Sequence, residues 1–168
     1  MIKGQDVVVL LKLLGPVEAA SVRDLADEVG FDVAGTHRSL KRLEAAGLYS
    51  PDRRRVPRVA AEEFLLSAVK FMFPAVRGGE TRGVPTAWAM PPLRDELAGE
   101  DLLPPVWPFA SGKARGLALE AIHPIAPEAA LRDEELWKRL ALVDALRSRA
   151  SSRVVGLAER HLRRELRA

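Results

Sequence analysis

The chain has 168 residues, 48% of them apolar and 29% charged, which is the balance of a folded domain rather than of a disordered or fibrous chain. A formal net charge of +3 is too small to argue for nucleic acid alone, and the absence of cysteine excludes a disulfide framework, thiolate zinc and a cysteine nucleophile. No apolar run approaches the ~20 residues that span a bilayer and no signal peptide opens the sequence, so a cytoplasmic location is expected.

Basic charge is placed rather than spread. Residues 34–60 hold Arg38, Lys41, Arg42, Arg53, Arg54, Arg55 and Arg58 against Glu44 and Asp52. A second excess closes the chain, with Arg139, Arg147, Arg149, Arg153, Arg160, Arg163, Arg164 and Arg167 against Asp144, Glu159 and Glu165.

In chain order, residues 6–14 carry Val7, Val8, Leu10, Leu11, Leu13 and Leu14 and stop at Gly15-Pro16, which reads as a buried helix. The Val7-Val8-Val9 run could open a strand, but length and leucine content favour helix. Ser21-Val22-Arg23-Asp24 has the form of a capping box. It opens a helix over 22–29 that buries Leu25, Ala26 and Val29 and ends at Gly30. After Phe31-Asp32-Val33, Asp32 caps a third helix over 34–46, ending at Gly47. Thr36, Leu40, Leu43 and Gly47 form its inward stripe, and Ala34, Arg38, Lys41 and Ala45 the outward one, with His37 and Arg42 at the edges. Residues 48–50 read as a short strand, 51–55 as a basic turn and 56–59 as a return strand confined to an edge by Pro57.

Residues 60–73 form a helix with little polar face, one buried on both sides, the second side expected to be another subunit. Nine of the twelve prolines lie in residues 74–127, which excludes a long helix there. The apolar content of that segment is too high for a linker, so ordered loops and short strands are expected. It contains a doubled pattern, Gly79-x-x-Arg82-Gly83 and Gly112-x-x-Arg115-Gly116, each with a proline eight residues after its last glycine. Helix returns over 133–147, with Leu136, Leu140, Val143 and Leu146 as its stripe. A last helix over 152–167 buries Val155, Ala158, Leu162 and Leu166. The fold class is therefore mainly α with a small β component. The expected organisation is a DNA-binding domain over 1–59 and a dimerisation, effector or partner-binding region over 60–168.

A helix, a capped helix, a three-residue turn, a helix carrying Leu40-x-x-Leu43-x-x-x-Gly47-Leu48, and a basic hairpin follow one another in residues 4–59. This third of the chain resembles the winged helix-turn-helix of bacterial transcriptional regulators of the MarR and ArsR kind. The matching residues are Ser21 to Ala26, Gly30 and Ser39 to Leu48. It departs from the pattern at Ala34-Gly35, where those regulators more often carry Ser, Gln or Thr. The resemblance implies double-stranded DNA binding by a homodimer, with the third helix in the major groove and the wing on the backbone. Arg38 then suits a guanine edge, which its planar fork can contact twice, with His37, Lys41 and Arg42 flanking it. Arg53, Arg54 and Arg55 would lie along phosphates or in the minor groove. The expected function is a sequence-specific transcriptional regulator, an autoregulating repressor.

The alternative is a winged helix used for protein contacts, for instance an antitoxin or adaptor that holds an enzyme. Here Arg82 and Arg115, in two matching loops, would grip one acidic partner; equally, each Arg-Gly could simply begin a strand of a duplicated unit. No cofactor, metal or membrane partner is implied, since three scattered histidines have no ligand spacing. The glycines at 78, 79 and 83 lack phosphate-loop spacing, and Ser111-Gly112-Lys113 lacks the flanking strand and helix. Trp88 and Trp107 read as core fillers, His123 as a buried or loop histidine, and His161 as solvated. Nothing in the sequence asks for catalysis.

Overall fold

The apolar run that opens the chain does form a helix, α1 (Gly4–Leu13), whose Val7 to Leu11 are wholly removed from solvent. A helix buried all round needs neighbours on every side, and α1 lies between α3 (Val33–Ala45) and α8 (Glu134–Arg147). The computed structural model describes residues 1–16, 21–97 and 103–168; residues 98–102, part of the expected loop and strand segment, lie outside these.

The caps read from the sequence are formed. The Ser21 hydroxyl accepts the Asp24 N–H at 3.2 Å to open α2 (Val22–Val29), which ends at Gly30 with φ +94°. Only a residue without Cβ takes that conformation freely. Asp32 Oδ1 accepts the Gly35 N–H at 2.5 Å to open α3. Gly47, at φ +75°, ends it, with the Leu48 N–H returning to the Leu43 carbonyl at 2.8 Å.

The basic hairpin is shorter than expected. Two strands were expected at 48–50 and 56–59, whereas the only pairing within residues 48–59 is a single bridge between Ser50 and Arg55 around a four-residue turn. The return strand fails because Pro57 has no N–H to give a ladder and its φ of −64° already suits a helix start. Accordingly α4 (Arg58–Glu63) begins at the next residue.

The expected helix over 60–73 is also reshaped. It starts earlier, in α4, widens to a π turn over Phe64–Ala68, and ends as α5 (Val69–Met72). Ala61, Leu65, Leu66 and Val69 face the core, but Phe71 and Met72 are 75% and 43% exposed. Within the single chain, then, this helix is buried on one side only.

The described residues of the proline-rich segment form three strands: β1 (Arg77–Pro85), β2 (Pro105–Pro108) and β3 (Ala114–Leu119). Each pairs with both others, β1 antiparallel to β2 and β3, and β2 parallel to β3, so they close into a minimal barrel. Between β1 and β2 lie a 3-10 turn (Ala87–Ala89) and α6 (Leu93–Glu96). Before α8 comes α7 (Ala126–Arg132), a helix absent from the sequence expectation, which took Pro127 as a boundary. Proline is compatible with the first turn of a helix, and Pro127 sits there.

α8 and α9 (Ser152–Arg167) fall where predicted. In α9 the inward stripe is shifted slightly: Val155 is half-buried, and Val154 and Leu157 join Ala158, Leu162 and Leu166 in the core. α8 is the central element: from Arg139 to Ser148 every residue is buried. One continuous apolar cluster joins α1–α3, the barrel, α8 and α9, and it runs across the boundary expected at 59/60. The architecture is mainly helical with one small three-stranded sheet. No helix among the described residues is long and apolar enough to cross a membrane.

Candidate nucleic-acid interface

The residues singled out on α3 divide by the direction in which the helix points them. Thr36, Ser39 and Leu43 are buried, so Ala34, His37, Arg38 and Lys41 face outward and are exposed. Lys41 is not alone on that face: its Nζ lies 3.4 Å from Glu44 Oε2, an exposed pair of small energetic weight. Neither His37 nor Arg38 has a hydrogen-bond or ion-pair partner among the described residues.

Arg42 belongs elsewhere. Its Nε and Nη2 donate to the two oxygens of Asp6 at 2.8 Å each, a fork-to-fork pair joining α3 to α1. Asp6 is wholly buried and also accepts the Lys3 N–H at 2.7 Å. Asp6 raises the Arg42 guanidinium above its ordinary range, with burial opposing. A buried carboxylate left unpaired is costly, so Arg42 is bound into the scaffold rather than presented outward. The sequence held a signal for this: an acid in the first turn of a helix, followed at once by the apolar run Val7 to Leu11, needs a cation.

Gly35, where the chain departs from the regulator pattern, has a packing role. A Cβ there would stand 2.4 Å from Asp32 Oδ1 and 3.2 Å from Gln5 Nε2. Gln5 uses the space to donate to the Gly35 carbonyl and to Ser39 Oγ, both at 3.0 Å. The helix start is thus shaped by its contact with α1.

Arg53, Arg54 and Arg55 are exposed on the tight turn, with Arg54 at φ +47°. Arg55 is tied through its backbone to Ser50, N–H to carbonyl in both directions at 3.2 and 2.9 Å. Three cations on so short a turn form a compact positive knob, not a long wing.

Arg82 and Arg115 are not in loops. They lie on adjacent strands, directly paired in the β1–β3 register, and both are exposed. Glu80 accepts from Arg115 Nε at 3.1 Å. Three of the four glycines of the doubled pattern, Gly83, Gly112 and Gly116, answer to barrel closure, while Gly79 faces open space. A Cβ at Gly83 would come within 1.9 Å of the Trp107 carbonyl oxygen, and one at Gly116 within 1.9 Å of the Pro104 carbonyl oxygen. Three mutually paired strands leave no room for side chains where they cross. The doubled Gly–Arg spacing therefore marks two paired strands, not two gripping loops.

The remaining polar residues are structural. Asp144 is buried on α8 and accepts from Thr86 Oγ1 and Trp107 Nε1 at 2.7 Å and from Arg147 Nη1 at 2.5 Å. Burial pushes its carboxyl up, against the pull of Arg147 and the two neutral donors. Trp107 is a core filler with a polar tip, as expected, while Trp88 is half-buried beneath the Arg77 guanidinium. His123 is half-buried; its Nδ1 accepts the Ile125 N–H at 3.0 Å and its ring meets Phe31 edge-on at 5.1 Å. Burial lowers its pKa. His161 differs from the expectation of a solvated side chain, since it is 11% exposed and its Nε2 lies 2.5 Å from Glu96 Oε1. No group of three or more potential metal ligands occurs among the described residues.

Comparison of the chain with known proteins finds no matching family model, curated protein or solved structure.

Proposed function

We propose that the chain binds double-stranded DNA in a sequence-specific manner, as a homodimeric regulator that represses its own transcription. The observation that carries this reading is the division of labour on α3. One face is locked to α1 by the Arg42–Asp6 fork and the Gln5 contacts, and the opposite face leaves His37, Arg38 and Lys41 outward. A capped helix-turn-helix whose second helix is rigidly seated and basic outside suits the major groove. The arginines of the 51–54 turn and Arg55 then supply backbone contacts.

Arg38 and the turn arginines should fail differently. Arg38→Ala should weaken binding to the protein's own upstream DNA by ~1–3 kcal/mol and leave random duplex nearly untouched. Replacing Arg53, Arg54 and Arg55 by Ala should weaken both, and reduce the slope of log K against log salt by up to ~3 units. Fluorescence anisotropy measures both effects. Wild type that fails to hold any duplex at ~50 mM salt ends the DNA reading.

A second reading, an adaptor or antitoxin-like protein, is favoured by one observation. Arg82 and Arg115 stand opposite each other on paired strands, and like charges so placed are mutually destabilising. An acidic group from a partner protein would relieve that repulsion, which Glu80 relieves only on the Arg115 side.

A further inference from the structure

The strongest charged surface outside the α3 region is the outer face of α9. Five arginines lie on this helix, Arg153, Arg160, Arg163, Arg164 and Arg167, against Glu159 and Glu165. The acids are engaged. Glu165 meets the buried Arg139 at 2.8 Å, and Glu159 lies 3.8 Å from Arg163. Glu62, reaching from α4, lies 3.2 Å from Arg163 and 3.6 Å from Arg167. Arg160 and Arg164 are exposed and hold no ion pair among the described residues. Together with Gly156 and Arg167 they line an open depression along the helix. Gly156 has nothing within 4 Å of its missing Cβ, so the floor of that depression is bare backbone.

We infer that this face is a second contact surface for the sugar-phosphate backbone of duplex nucleic acid, resting on the DNA reading given above. Arg160, Arg164 and Arg167 are separated along the helix axis by about 6 and 4.5 Å. A duplex strand presents one charge per ~3.4 Å of its own axis, so a row of cations at such short intervals can track it. The geometry disfavours the other polyanions. An anionic membrane would be met by an amphipathic helix with its apolar face free to insert, but Val154, Leu157, Ala158, Leu162 and Leu166 are buried inside the fold. Single-stranded nucleic acid is held by aromatic stacking as well as charge, and α9 contains no aromatic ring except His161, which faces Glu96. α9 packs along α8 through its apolar side, which leaves Arg160, Arg164 and Arg167 exposed along the helix, a regular spacing that suits a regular backbone.

The test measures binding to random-sequence duplex and to the protein's own upstream DNA from ~50 to ~200 mM salt for wild type, for Arg160→Ala/Arg164→Ala, and for the Arg38→Ala and turn-arginine variants. The α9 double variant should lower the salt slope by about two units, so the wild-type advantage shrinks about 12-fold across that range. Alanine keeps the helix propensity, and the charge-preserving pair Arg160→Lys/Arg164→Lys should retain the slope even if the alanine pair unfolds. An unchanged slope in a folded alanine variant overturns the inference and leaves the α3 reading standing. Loss of slope with α9 changed, together with wild-type behaviour of the α3 and turn variants on both random and upstream DNA, supports the inference and sinks the α3 reading. A loss seen only on phosphatidylserine vesicles, or only toward an acidic protein captured in place of DNA, also overturns it.

Discussion

Arg42 and Arg38 are four residues apart on one helix and do opposite things. Arg42 completes a buried pair with Asp6, whose removal leaves a carboxylate without its cation in a site closed to water. Arg42→Ala should therefore cost about 3 kcal/mol of folding stability, whereas the exposed Arg38→Ala should stay within about 0.5 kcal/mol. Urea denaturation separates them, and an unmoved midpoint for Arg42→Ala would refute the scaffold role. Helical spacing placed Arg38 in the outward stripe and Arg42 at its edge, because periodicity gives a direction from the axis and not the reach of a long side chain. A guanidinium at the margin of a face can turn inward to a partner 36 residues away, and only the packing of α1 on α3 reveals that it does.

Among the elements, the junction of α1, α2 and α8 is held by charge. Lys12 Nζ lies 2.7 Å from Asp133 Oδ2, at the N-cap of α8, and 3.2 Å from Glu28 on α2. For Asp133 burial works upward, but the Lys12 ammonium and the Leu136 N–H outweigh it and hold the carboxyl below its ordinary 3.8. For Lys12 burial works downward, and Asp133 with Glu28 outweighs it, raising the amine above 10.5. A carboxyl held low contributes stability above its unfolded value and loses it as pH falls through the folded one. An amine held high contributes below its unfolded value and loses it as pH rises through the folded one. The cluster thus works fully across neutral pH and fails at both extremes. Lys12→Met should flatten both the acid loss below pH 3.8 and the alkaline loss above pH 10.5 in thermal melts scanned over pH. Limbs as steep as those of wild type would show that other groups govern them. The α8 boundaries were legible from its apolar stripe, yet its burial on every side was not. Arg139, Asp144 and Arg147, counted from the sequence only among the charges that close the chain, are buried because Glu165, Trp107 and the Phe73 carbonyl satisfy them.

For the whole molecule, the uncovered surface at the end of α5 bears on assembly. Phe71 and Met72 are exposed there, and Val76, four residues further along the chain, is 61% exposed. Exposed apolar side chains of this kind favour association, and the DNA reading requires a two-fold pairing that sets two α3 helices about 34 Å apart, one helical turn. Sedimentation equilibrium should find a dimer for wild type and a monomer for Phe71→Glu, with unchanged helical circular dichroism. A wild-type monomer at micromolar concentration would rule out the dimer. The chain alone was enough for α1, α2, α3, α8 and α9 and for the caps at Ser21, Gly30 and Asp32, though not for α6 and α7, because a capping hydroxyl, a carboxylate or a left-handed glycine acts on backbone groups within four residues of itself. The apolar content of the proline-rich segment likewise pointed to the short strands that its described residues form. The shortening of the hairpin to one bridge and the earlier start of α4 hinge on Pro57, which the sequence displayed as an edge-strand residue and which instead opens a helix. Only the tertiary structure decided that the two Gly–Arg stretches are neighbouring strands, that Arg42 faces Asp6, and that α8 is enclosed. Each of these depends on contacts between residues tens of positions apart, where direction and distance are set by packing and leave no period in the chain.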